Sequence, residues 1–182
     1  MPGQRDYPVL FGTTRADWAP IDLRFELLTG AVDERQVARV YVVPFVGDAC
    51  VVVGFGDGGW GPAGGGREPG ETVRAALERE LREEAGARLR SYTPFAVLRC
   101  HSHAAPYRDH LPHPDYDCLY GYGDVELLGP PRPVDGGERI SAVEVMAPGR
   151  AAAFLRRRGR AWEADLYRLA TRRRRAARVT AG

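Results

Sequence analysis

Three glutamates lie within five residues: Glu80, Glu83 and Glu84, in the run Arg79-Glu80-Leu81-Arg82-Glu83-Glu84. Carboxylate oxygens are hard ligands, and Mg2+ is typically held by one or two of them together with substrate phosphates. Glu80 and Glu84 are spaced i, i+4, and Glu80 and Glu83 i, i+3. Like charges at those spacings cost a helix roughly 0.2–0.5 kcal/mol per pair. A surface helix shaped by stability alone would alternate sign there. A divalent cation among the three would offset the repulsion; the plainer alternative is a solvated acidic face. Arg79 adjoins the cluster, Glu71 precedes it, and upstream stand Gly64, Gly65 and Gly66. Glycines let a backbone approach a phosphate, or offer a carbonyl to a metal, without a Cβ clash.

A helix must hold these carboxylates. Thr72 is a good N-cap, because its hydroxyl accepts from an orphan backbone N–H. Residues 73–85 are rich in Ala, Leu, Glu and Arg, all strong helix formers. Gly86 suits the left-handed residue that ends many helices. At about 100° per residue, Leu77, Leu81 and Ala85 share the core sector. Glu80, Glu83 and Glu84 fill the sector beside it, and Arg74, Glu78 and Arg82 face solvent. A glycine loop therefore feeds an amphipathic helix with an acidic edge.

The whole stretch from Gly65 to Ala87 fits G-x5-E-x7-R-E-U-x-E-E-x-G-U, with U aliphatic. This is the Nudix box, and the chain resembles the Nudix hydrolases. The resemblance implies an α/β fold, an α/β/α sandwich around a mixed β-sheet. It implies cleavage of a nucleoside diphosphate linked to another group, by water attack on phosphorus, with Mg2+ or Mn2+. By matched position, Glu80, Glu83 and Glu84 are implied metal ligands, with a backbone carbonyl at Gly64 or Gly65. Arg79 matches the arginine that orients a box carboxylate, and Glu71 a supporting acid. Gly65 and Gly66 are implied phosphate contacts. Members of the family often use a further glutamate to activate water: Glu138 is the candidate, with Glu144 and Glu126 as rivals. Trp60 resembles an aromatic often found before the loop. Outside the resemblance, Tyr107 or Tyr116 could stack on a base or sugar if the Pro-rich loop beside them borders the pocket. One departure is Pro62-Ala63-Gly64-Gly65 in place of the usual Pro-Gly-Gly, with the proline one place early.

The competing readings are an isoprenoid diphosphate isomerase and a non-catalytic nucleotide-binding regulator of the same fold. The intact box argues against the first. Regulators of this type carry an appended DNA-binding winged helix, which is not expected here. Subfamily marks are missing too. Ser102 stands where ADP-ribose hydrolases carry proline, and Pro106 and Tyr107 come late for that group and for diadenosine polyphosphate hydrolases. The substrate expected is therefore a nucleotide-like diphosphate of unspecified kind, and a homodimer is open.

With 182 residues the chain is long enough for a real core. Residues 1–36 read as an extension packed on a domain spanning 37–182. The net charge of +2 implies no strong attraction to nucleic acid or membrane. The sequence has no lysine, no asparagine and only Ile21 and Ile140 as isoleucines, the mark of GC-rich coding in a bacterium. Cys50, Cys100 and Cys118 form no C-x-x-C pair, so buried thiols are expected in a reduced, cytoplasmic protein. No run approaches a transmembrane span.

Strands are expected over 37–46, 50–55, 95–100, 117–127 and 140–146, and helices over 150–158 and 162–178. Two further clusters stand out. His101, His103, His110 and His113 lie in a Pro-rich loop that could border the pocket; a zinc site lacks a regular spacing. Arg156–Arg158, Arg160, Arg172–Arg175 and Arg178 crowd the C-terminal helices. In a lysine-free chain these read first as a solvated face, with Trp162, Leu166 and Leu169 as the docking stripe.

Overall fold

The computed structural model describes residues 4–16, 19–106, 108–134, 137 and 139–180. The elements run α1 (Pro8–Gly12), β1 (Ile21–Leu27), β2 (Val37–Val46), β3 (Ala49–Phe55), β4 (Trp60–Gly61) and β5 (Ala63–Gly66). They continue with α2 (Val73–Ala85), β6 (Ala87–Leu89), β7 (Thr93–Ser102), β8 (Asp115–Leu127), β9 (Ile140–Met146), α3 (Pro148–Arg157) and α4 (Ala161–Thr180).

The strands form a mixed sheet in the order β1-β7-β8-β2-β3, with β9 also paired to β3. β2 and β8 run parallel, and the other pairs are antiparallel. Alternation along the central strands sorts side chains onto two apolar layers. Val40, Val42, Val51, Val53, Val97 and Leu119 pack beneath Leu77 and Leu81 of α2. Val43, Phe45, Cys50, Val52, Cys100 and Cys118 pack beneath Leu155 of α3 and Leu166, Tyr167 and Leu169 of α4. The result is the expected α/β/α sandwich. Burying a leucine such as Leu77 or Leu81 contributes about 1.5–3 kcal/mol, which fixes α2 to its face.

β1 closes the edge beyond β7, in register from Ile21 opposite Ser102 to Leu27 opposite Ala96. The first 36 residues thus include a full strand of the common sheet. α4 docks by its buried Tyr167, whose hydroxyl lies 2.8 Å from the Val51 carbonyl and 3.0 Å from that of Gly61. All three cysteines are free and buried. Among the described residues no helix is long and apolar enough to cross a membrane.

Candidate active site

The site begins where a hairpin opens. β2 and β3 pair only at Phe45–Cys50 and Val46–Ala49 before they splay apart. Residues 60–66 fill the fork: β4 pairs with β3, and β5 pairs with β2 from Ala63–Val42 to Gly66–Arg39. Pro62, which has no N–H to donate, sits at the step between them, where neither pairing continues. The displaced proline therefore marks the switch from one strand partner to the other.

Gly64 lies at φ 146°, and a Cβ there would come within 2.1 Å of the Val40 carbonyl oxygen. A Cβ on Gly65 would lie 2.4 Å from Oε1 of Glu80. The glycines are therefore needed so that this backbone can lie flat against β2 on one side and the helix carboxylates on the other.

α2 is set as its sequence dictates. Thr72 Oγ1 accepts from the Ala75 N–H at 3.1 Å, and Gly86 caps the C-terminus in the left-handed conformation. Glu80, Glu83 and Glu84 are all buried, while Arg74, Glu78 and Arg82 are exposed. Three buried carboxylates on one helix edge need partners. The Gly64 N–H donates to Glu84 Oε2 at 2.8 Å. Arg79 serves the other two: Nη1 donates to Glu80 Oε1 at 2.8 Å and reaches Glu83 Oε2 at 3.5 Å.

Arg79 is itself fixed. Its Nε and Nη2 donate to the two oxygens of Glu71 at 2.8 and 3.0 Å, and Nη2 also donates to the Gly66 carbonyl at 2.9 Å. This is the bidentate geometry that a planar guanidinium favours. Glu71 in turn accepts from the Glu68 N–H at 2.8 Å. The Arg79 bond holds the Glu71 carboxyl below its ordinary range, against the smaller opposing effect of burial. Arg67 anchors the loop differently, donating to the backbone carbonyls of Glu71, Glu34 and Val37.

The electrostatics of Glu80 indicate what is wanted there. Burial pushes its carboxyl up and Glu83 adds to that, while Arg79 and Arg39 pull it down. The Arg79 guanidinium is shared among Glu71, Glu80 and Glu83, and Glu84 accepts from the Gly64 backbone. A set of buried carboxylate oxygens suits a hard divalent cation. Among the described residues no three acidic or imidazole groups already enclose a point where an ion would sit.

Two residues not singled out in the sequence flank this cluster. Arg39 is exposed although it stands in a central apolar strand, opposite Gly66 of β5 and Cys118 of β8. Its Nε donates to the Tyr41 hydroxyl at 2.8 Å. The Tyr41 ring stacks on Tyr120 at 4.8 Å and 10°. Burial pushes the Tyr41 hydroxyl up to about 12, Arg39 opposing and Glu84 adding a smaller upward push. The signal was present: a single arginine inside Val37-Ala-Arg39-Val-Tyr41-Val-Val is out of place unless a site needs it.

Three other expected residues, Trp60, Glu144 and Glu126, lie within the described part of the chain. Trp60 packs with the apolar layer that α3 and α4 cover. Its ring packs on Gly54 and meets Phe154 of α3 edge-on at 4.8 Å, with the Arg158 guanidinium 5.0 Å above it. Tyr107 and Glu138 lie outside the described residues. Glu144 is exposed on β9 opposite Val52. Glu126 is held by Arg88 at 2.7 Å and by Arg90, which keeps its carboxyl low.

The histidine loop is pinned by its own chain. His101 meets Asp115 at 2.8 Å and His103 meets Asp22 at 2.8 Å. His113 bonds the Ala104 carbonyl, and His110 bonds the Arg67 carbonyl at 3.0 Å, which brings this loop to the end of the glycine strand. A cavity of about 360 Å3 opens beside Val73, Leu77 and Tyr92, away from the three glutamates.

Comparison with known proteins agrees with this geometry. The NUDIX domain family model matches residues 35–170, well over half of the chain. The nucleoside triphosphatase NudI of Enterobacter sp. (strain 638) is 36% identical over 75 residues, covering 37% of this chain and 53% of NudI. The chain thus spans about half the length of that curated relative. The pyrophosphohydrolase BsRppH of Bacillus subtilis superposes with a TM-score of 0.52 at 18% identity, covering 69% of this chain and 72% of BsRppH. A NUDIX hydrolase of Nitrosomonas europaea gives 0.46 at 21% identity, covering 63% of this chain and 74% of that one. At such identities the structural likeness is one of fold. The box on α2, the sandwich around it and the match over residues 35–170 together make the chain a member of the Nudix hydrolase family.

Proposed function

We propose that the protein is a divalent-metal-dependent pyrophosphohydrolase that cleaves a nucleoside diphosphate linked to another group. The observation that carries this reading is the row of three buried glutamates on α2, beside Arg79 and closed in by Gly64 and Gly65. Glu80, Glu83 and Glu84, with a backbone carbonyl of Gly64 or Gly65, would hold Mg2+ or Mn2+. When bound, such ions supply positive charge against phosphate oxygens and make water a better nucleophile at neutral pH.

The chain's own groups do the rest. Arg79 is a positioning residue: anchored on Glu71 and the Gly66 carbonyl, it fixes where the Glu80 and Glu83 oxygens point. Gly65 and Gly66 leave room for phosphate against the backbone. Glu138 is proposed to accept the proton of the attacking water. Its neighbour Arg139 is tied by its carbonyl to the Gly56 N–H at 2.6 Å. The rival Glu126 is already committed to Arg88 and Arg90.

The test is a hydrolysis screen with Mg2+ and with Mn2+, begun with nucleoside triphosphates because the curated relative bears that activity in its name. Nucleotide sugars and other nucleoside diphosphate derivatives follow. The expected result is metal-dependent cleavage of a phosphoric anhydride. Glu83→Gln and Glu84→Gln should each lower kcat by about 100–1,000-fold, equivalent to several kcal/mol of transition-state stabilisation. Full activity in both variants would overturn the assignment.

A further inference from the structure

We propose that Arg39 and Tyr41 form a second anion recess, which binds a phosphate of the substrate's diphosphate across the glycine strand from the carboxylates. The inference rests on the hydrolase reading but concerns residues outside the box.

The argument is one of free donors. Among the described residues three guanidinia surround the glycine strand. Arg79 is spent on Glu71, Glu80, Glu83 and the Gly66 carbonyl. Arg67 is spent on the backbone carbonyls of Glu71, Glu34 and Val37. Arg39 uses only Nε, toward the Tyr41 hydroxyl. Among the described residues its Nη1 and Nη2 have no hydrogen-bond acceptor, and the side chain is exposed. A fork of unused guanidinium donors matches phosphate oxygens in pairs.

The fork is also held in place. Tyr41 accepts from Nε, and so its own O–H remains available to a ligand. The Tyr41 ring is braced on Tyr120 at 4.8 Å, and Tyr120 meets Trp162 of α4 edge-on at 5.4 Å. This aromatic pillar reduces the entropy that a long arginine would lose on binding.

Placement completes the case. Arg39 pairs in register with Gly66, and Tyr41 with Gly64. Residues 64–66 are all glycine, so no side chain of β5 stands between this pair and the acidic edge of α2. The same strand touches the carboxylates: the Gly64 N–H donates to Glu84 at 2.8 Å, and a Cβ on Gly65 would lie 2.4 Å from Glu80. A diphosphate spans such a gap with one phosphate toward the carboxylate side and the other on the guanidinium. The chemical class recognised is thus a phosphoanhydride with an adjacent phosphate oxyanion, not a lone phosphate.

The experiment uses the full chain and methylenediphosphonate, a diphosphate mimic that cannot be hydrolysed, titrated by calorimetry with Mg2+ present. Arg39→Gln should weaken binding about 10–100-fold, the range of hydrogen bonds to a charged group. Arg39→Lys should recover part of it, since an ammonium keeps the charge without the fork. Tyr41→Phe should weaken binding by a smaller factor. Melting temperature should stay unchanged in Arg39→Gln, and Mn2+, followed by paramagnetic resonance, should still bind. With the best substrate of the screen, KM should rise more than kcat falls.

Wild-type affinity in Arg39→Gln overturns the recess, and so does a wild-type chain that does not bind the diphosphonate. Mn2+ binding that survives Glu83→Gln and Glu84→Gln overturns the metal reading instead, and leaves the diphosphonate comparison to decide the recess on its own.

Discussion

Arg79 shows how one residue organises a site. Its planar fork meets two oxygens of Glu71 and one of Glu80, a geometry that lysine cannot reproduce. If the proposed metal site holds, Arg79→Lys should therefore lower kcat/KM about 10–100-fold, the usual cost of losing a group that orients metal ligands. Steady-state kinetics at saturating Mg2+ checks this. Gly64→Ala should fail more broadly, because its Cβ would collide with the Val40 carbonyl at 2.1 Å, and backbone on both sides resists movement. Loss of folded protein by circular dichroism, not loss of kcat alone, is the expected outcome.

Glu71 also carries a pH signature. Its folded carboxyl is held below the ordinary value of 4.5, chiefly by Arg79. A carboxyl depressed in the folded state contributes stability that is present above its unfolded pKa and lost as pH falls through the folded one. The stability gap between wild type and Glu71→Gln should thus be largest above about pH 4.5 and shrink below it. Urea melts from pH 3 to 7 would show it, and a gap independent of pH would count against the ion pair. Arg39 was legible only as an oddity, one charge in an apolar strand, since its value depends on a glycine strand lying beside it.

At the scale of elements, α2 was the most readable. Its ends are written in Thr72 and Gly86, and its three sectors follow from a period of 3.6 residues. Thr72→Ala should cost about 1 kcal/mol, measured by chemical denaturation, because it orphans the Ala75 N–H. The strands over 37–46 and 140–146 match the hydrophobic runs as read. β4, β5 and β6 were not legible. They are two to four residues long, too short for periodicity, and β5 is almost all glycine.

The arginine-rich helices gain their meaning from partners far away in sequence. Asp165, almost fully buried in α4, is held by Arg156 at 2.8 Å and Arg168 at 3.0 Å. Arg172 reaches Asp6. The buried Arg174 bonds the Gly47 carbonyl and Asp124 and lies 4.3 Å over the Phe45 ring, while Arg178 pairs with Asp48 at 2.8 Å. The tail thus clamps the β2–β3 turn and β8. Arg174→Ala should destabilise the protein by about 2–3 kcal/mol, since one side chain supplies a charged hydrogen bond, a carbonyl bond and a cation–π contact. Thermal melts would measure the loss.

For the whole molecule, the proposed cation site would link folding to ligand binding through the carboxylate edge. Three buried glutamates cost the apo fold, so a cation that binds only the folded state should stabilise it. At a concentration near 100 times its Kd, Mg2+ would add about 2.7 kcal/mol. For a chain of this size that raises Tm by about 5–10 °C. The shift should vanish in Glu83→Gln, and calorimetry in Mg2+ and in chelator checks both.

The sequence by itself determined the layout of one helix and its loop: carboxylate spacing, caps and the flanking glycines. Those depend on neighbours within a few turns, and local spacing encodes them. Only the tertiary structure decided that β2 and β3 splay, that the glycine strand enters the fork, and that Arg39 and Tyr41 stand across it from Glu80 and Glu84. It also put Trp60 on α3 and used the four histidines to pin their own loop. Such placements come from strand pairing and helix docking between residues remote along the chain, and no local pattern of residue types specifies them.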